Sequence, residues 1–193
     1  MQFWPRLCRA LVLVCMGLVG VTGAQASRMT TGLVIDRMTL LRMTDRVMES
    51  GAVVPVLFSA DRYAVVRRGW IAGFLNRFRD DLSRKNVPVS LPQGDSGWRT
   101  GFNCTAFTDL FLGNAAAEMM VDQWHSDAQA DRPAIVAVWY TPDTAPIDPR
   151  TKRRQAHSVV LILTDAGPVF VDPQSGVVNL TRTELLTVTH RRA

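Results

Sequence analysis

The chain has 193 residues, of which 47% are hydrophobic and 20% charged, and a formal net charge of +5. That balance excludes collagen-like, coiled-coil and wholly disordered chains and fits one globular domain. The apolar excess behind the mean hydropathy of +0.06 is concentrated in residues 1–26, which read as a segment apart.

In that segment Arg6 and Arg9 precede an apolar run from Ala10 to Val21, and Ala24-Gln25-Ala26 forms a small-x-small cleavage site. The pattern predicts a secretory signal peptide over 1–26. The run falls short of the roughly 20 residues a membrane-crossing helix needs, so no span is expected to remain after cleavage. Val14 before Cys15 is too bulky for a lipoprotein signal. The expected location is therefore exported, either periplasmic or secreted, with residues 27–193 forming a single domain. This mature part keeps 20 basic against 17 acidic residues, a weak excess. Its one tight basic run, Lys152-Arg153-Arg154, reads as a solvated loop, and no nucleic-acid partner is expected.

Along the mature chain, Ser27 to Thr31 is polar and reads as frayed. Met38, Leu41, Val47 and Met48 predict a helix over 36–48, stopped by Gly51. Val53 to Phe58 reads as an edge strand broken by Pro55. From Ala64 onward Ile71, Phe74, Leu75, Phe78 and Leu82 recur at helical spacing, predicting an amphipathic helix that ends near Asn86. The prolines and glycines of Val87 to Gly101 make a loop. A buried helix is expected from Asn103 to Trp124, carrying Phe107, Leu110, Phe111, Met119, Met120 and Val121. Ala134 to Tyr140 and His157 to Leu163 read as strands separated by a proline-rich loop suited to a lid or a rigid connector. Thr164 to Pro168 is a turn and Val169 to Val171 the returning strand. Thr181-x-x-Glu184 resembles a capping box and predicts a short C-terminal helix. Trp70, Trp124 and Trp139 are expected in the core, and Trp98 near a cleft.

Cys8 and Cys15 fall in the leader, leaving Cys104 as the single thiol of the mature chain. A lone cysteine is either a small buried hydrophobe or a reactive group. At a helix start, unpaired backbone N–H groups and a partial positive charge favour a thiolate and can stabilise an oxyanion. His157 and Asp172 lie fifteen positions apart across a tight hairpin, so strand pairing brings both to the same end of the sheet. A carboxylate there orients the imidazole, which takes and returns the thiol proton. His125 and His190 have no Cys or carboxylate at a metal-ligand spacing, and neither metal nor cofactor is expected.

Phe102-Asn103-Cys104-Thr105-Ala106-Phe107, Ala156-His157-Ser158-Val159-Val160-Leu161-Ile162 and Val169-Phe170-Val171-Asp172-Pro173-Gln174-Ser175-Gly176 together resemble the core of the papain-like superfamily. Within it they look closest to the bacterial transglutaminase-like cysteine peptidases, over about half of the mature chain. The chain departs from that pattern at Thr105-Ala106-Phe107, where the family has acidic and aromatic residues, and at Trp98, where papain-type enzymes have glutamine. The resemblance implies an α+β fold with N-terminal helices and a nucleophile helix packed on an antiparallel sheet. It further implies a catalytic triad of Cys104, His157 and Asp172, with Gln93 or Asn103 as a side-chain oxyanion donor. The implied substrate is an amide of a peptide, a protein or the cell wall. The alternative from another class is an inactive scaffold of the same fold, serving as an exported binding or assembly protein.

Overall fold

The computed structural model describes residues 29–48, 60–87, 104–124, 130–141 and 156–180, with a few positions between 147 and 153. Among them, three helices and seven strands form an α+β fold. The chain runs β1 (Thr30–Asp36), α1 (Arg37–Met48), β2 (Arg62–Val66), α2 (Arg68–Arg84) and α3 (Cys104–Trp124). It continues through β3 (Arg132–Pro133), β4 (Ile135–Tyr140), β5 (His157–Thr164), β6 (Gly167–Asp172) and β7 (Val177–Leu180).

The sheet is mixed, where an entirely antiparallel one was expected. β1–β2, β4–β5, β5–β6 and β6–β7 are antiparallel, but β2 runs parallel to β3 and, through Val66 and Thr164, to β5. The cause lies at Ala134. Its N–H donates to the carbonyl of Ala64 and its carbonyl accepts from Leu163 N–H, so the segment from Arg132 to Tyr140 enters beside β2 and then leaves it to pair with β5.

β5 is buried at every position from His157 to Thr164, as befits a strand covered on both faces. Alternation along it divides the core. Val160 and Ile162 face the layer of α2 and α3, together with Phe107, Phe111 and Val171. Val159, Leu161 and Leu163 face the other side with Val136, Val138 and Leu40, the last from α1. α2 contributes the expected stripe of Ile71, Phe74, Leu75, Phe78 and Leu82, joined by Trp70. Phe111 of α3 meets Phe74 and Phe78 edge-on, with ring centroids 4.9 and 5.5 Å away.

Local chemistry fixes the helix ends. Asp36 Oδ1 accepts the Thr39 N–H at 2.7 Å and caps α1. Asp165, from the β5–β6 turn, accepts the Arg68 N–H and places a carboxylate at the start of α2. α2 closes with Asn86 at φ 56°, Asn86 N–H donating to Ser83 O and Val87 N–H to Leu82 O, the paired bonds of a Schellman motif.

Several local expectations are corrected. Ser27 to Thr31 is not all frayed, because Thr30 and Thr31 belong to β1 and Met29 is buried. Ala64 lies in β2, and the amphipathic helix starts only at Arg68. Met120, Val121 and Trp124 are exposed, Trp124 at 87%, so the end of α3 is not a core helix, and Trp139 is 40% exposed. Of the expected core tryptophans, Trp70 is buried. The edge strand at Val53 to Phe58, Trp98, the capping box at Thr181 and the leader lie outside the described residues. No described helix is long and apolar enough to cross a membrane.

Candidate active site

The three residues singled out by sequence meet at one end of the sheet. Cys104 opens α3, His157 opens β5 and Asp172 closes β6. His157 Nε2 lies 3.2 Å from Asp172 Oδ2, and the imidazole lies near enough to Cys104 for that side chain to raise its pKa. Because Nε2 is committed to the carboxylate, Nδ1 is the ring nitrogen left for the thiol. All three are buried: Cys104 is 6% exposed, His157 9% and Asp172 4%. The ring of Tyr140, paired with His157 across β4 and β5, meets the imidazole edge-on at 5.7 Å.

The two oxygens of Asp172 have separate tasks. Oδ2 serves the imidazole, while Oδ1 accepts the backbone N–H groups of Gln174 at 2.9 Å and Ser175 at 3.2 Å. The Asp172 carbonyl accepts the N–H of Gly176 at 2.8 Å, and Gly176, at φ +78°, turns the chain into β7. The conformation at Gly176 is one that glycine takes without steric cost. The carboxylate is thereby held from both sides, by the tight turn that follows it and by the ring it serves.

A chain of buried hydroxyls ties the start of α3 to the strand that bears the histidine. Ser158 Oγ donates to Thr108 Oγ1 at 3.0 Å, and Thr108 Oγ1 donates to the carbonyl of Cys104 at 2.9 Å. Alternation points Ser158 toward α3 while its neighbour His157 stands at the strand's beginning. Thr108, four residues after Cys104, returns its hydroxyl along the helix as threonines do. Replacing Thr108 with Val is expected to leave the Ser158 hydroxyl buried without its acceptor. The expected loss is about 1–3 kcal/mol of unfolding free energy, measured by urea denaturation. A companion Ser158→Ala in the Thr108→Val background should recover part of it.

Charge is distributed to match. Burial by itself lowers the pKa of His157, but the Asp172 hydrogen bond, then the Cys104 bond and the charges of both partners, outweigh it, and the value is pushed up to about 9. For Asp172 burial works to raise the pKa, yet hydrogen bonding and attraction from His157, with further bonds from Ser175, hold it below the ordinary carboxylate value of 3.8. The pair therefore favours an imidazolium beside a carboxylate at neutral pH.

Among the described residues no group of His, Cys, Asp and Glu is arranged to hold a metal ion. Gln93, Asn103 and Trp98, raised by the sequence as oxyanion donors or cleft residues, and His125 and His190 all lie outside the described residues. Tyr140, Thr108 and Ser158 are site neighbours that were not singled out from sequence. Thr108 carried a signal in its i+4 spacing from Cys104, and Ser158 in its adjacency to His157. No protein-family model matches the chain, and no curated protein or solved structure matches it either.

Proposed function

We propose that the domain is a cysteine-dependent amide hydrolase or acyl transferase of papain-like type, a peptidase, amidase or transglutaminase-like enzyme. The supporting observation is a buried imidazole that is hydrogen-bonded to the Asp172 carboxylate and brought beside Cys104 at the start of α3. In this scheme the second proton of the His157 ring is the one it has taken from the thiol, so Cys104 Sγ attacks the amide carbonyl carbon as the anion of a thiolate–imidazolium pair. The carbonyl oxygen becomes an oxyanion near the first turn of α3, whose backbone N–H groups have no partner within the helix. Collapse of the tetrahedral intermediate breaks the C–N bond, and His157 returns its proton to the departing amine. The acyl thioester then passes to water or to a second amine, His157 acting as base again. Asp172 orients the ring and stabilises its protonated form throughout. With residues 1–26 serving as a signal peptide, the substrates are peptide, protein or cell-wall amides outside the cytoplasm.

The test is the rate of Cys104 alkylation by iodoacetamide at pH 7, followed by mass spectrometry, in the folded protein and in a His157→Ala variant. A thiol activated by its imidazole should react at least about tenfold faster than in the variant. The 6% exposure of Cys104 favours the second reading, an inactive scaffold used for binding or assembly. That reading takes over if the thiol reacts only after unfolding or is indifferent to His157.

A further inference from the structure

The active-site carboxylate is braced from outside the triad. Arg79, on α2, donates from Nη1 to the carbonyl of Gln174 at 3.0 Å. Gln174 is the residue whose own N–H holds Asp172 Oδ1, so one peptide unit away from the carboxylate the turn is tied to a helix. The second contact is steric. A Cβ built on Gly176 would stand 2.4 Å from Arg79 Nη1 and 2.9 Å from its Cζ, so the guanidinium lies against the bare Cα of the residue that ends the turn. One side chain thus touches the turn at two of its positions, and both contacts depend on the length and planarity of arginine.

We infer that Arg79 is a positioning residue for Asp172, fixing the turn from Pro173 to Gly176 so that Oδ1 stays on the turn amides and Oδ2 faces His157. This rests on the triad reading above. Arg79 works through the backbone of the turn: the interactions that set the protonation of Asp172 come from His157 and Ser175. Without the brace, the turn gains freedom, the carboxylate samples orientations that leave Nε2, and the imidazole loses the partner that keeps it charged. Arg77, two positions earlier, is the natural control. It pairs with Glu118 of α3 at 2.8 Å, so it ties α2 to a neighbouring helix where Arg79 ties it to the turn.

The experiment is an NMR titration of the His157 ring nitrogens in the full chain, in wild type, Arg79→Met, Arg79→Lys and Arg77→Met, with folding checked by thermal melting. Among the described residues the groups facing the ring are Asp172 from β6, Cys104 from α3 and Tyr140 from β4, and all are retained in every variant. Wild type should titrate far above a free imidazole, Arg79→Met about one pH unit or more lower, Arg79→Lys in between, and Arg77→Met with wild type. If the wild-type ring titrates near 6.5, the triad reading itself fails. If wild type is high and Arg79→Met coincides with it, or Arg77→Met falls equally, Arg79 has no positioning role. Should Arg79→Met prove unfolded, Arg79→Lys decides between the two outcomes alone, because it keeps a cation on α2 while losing the planar fork.

Discussion

Changing Asp172 to Asn is expected to lower the pKa of His157 from about 9 to 6.5 or below. The amide keeps an acceptor for the Gln174 and Ser175 N–H groups, so the turn survives while the charge is lost. Burial, which opposes the imidazolium, then has only Cys104 working against it. Stability follows with a defined sign. His157 has a folded pKa above its unfolded value, so its contribution is fully present below about pH 6.5 and is lost as pH rises through about 9. Asp172 has a folded pKa below its unfolded value, so its contribution is present above about 3.8 and is lost as pH falls through the depressed folded value. The two limbs describe one ion pair. The wild type should therefore exceed Asp172→Asn most between about pH 4 and 6.5, by roughly 3 kcal/mol, with the difference shrinking at both ends. Urea denaturation across pH measures it directly. An offset that stayed constant from below about pH 4 to above about pH 9 would mean that the carboxylate contributes packing and no charge. In the proposed reaction the same change should cost about 10⁴ in turnover, the scale seen when an orienting carboxylate is neutralised in a triad.

The largest loss of stability is expected from Phe111→Ala. Phe111 is fully buried, lies edge-on to both Phe74 and Phe78, and belongs to the cluster that joins α2 and α3 to Val160, Ile162 and Val171 of the sheet. Removing the ring abolishes two aromatic contacts and opens a cavity between two helices already held at the sheet, so collapse around the gap is limited. The expected cost is about 3–5 kcal/mol, read as a lower urea midpoint at unchanged slope. Phe111→Leu, which refills most of the volume, should lose less. A cost under about 1 kcal/mol would show that the layer repacks freely and that Phe111 is not the keystone its burial suggests.

The legible parts of the fold were those whose pattern repeats within one element. The stripe on α2, the helix beginning near Cys104 and the β5–β6 hairpin with its turn each follow from periodicity and turn chemistry inside about twenty residues. The meeting of His157 and Asp172 was legible for the same reason, since the hairpin alone brings them together. What escaped depended on distant partners. β1 gains its order from pairing with β2, and the two-residue β3 exists only because Arg132 and Pro133 lie beside Tyr63 and Ala64, a pairing that makes the sheet mixed. The exposed end of α3 misled because Met120, Val121 and Trp124 have core composition, while exposure is decided by what the fold sets against them. Arg79 carried no local signal at all: its role comes from a turn nearly a hundred positions later.

The spacing of the site residues along the chain also has a kinetic side. His157 and Asp172 are joined by an antiparallel hairpin, a structure that closes in microseconds, whereas Cys104 reaches them only when α3 docks on a sheet whose middle includes parallel pairings between distant segments, the slow class of contact. On these timescales the His157–Asp172 pair is expected to form before Cys104 reaches it. In the proposed reaction, a thiol that has not yet docked lacks the imidazole that would activate it.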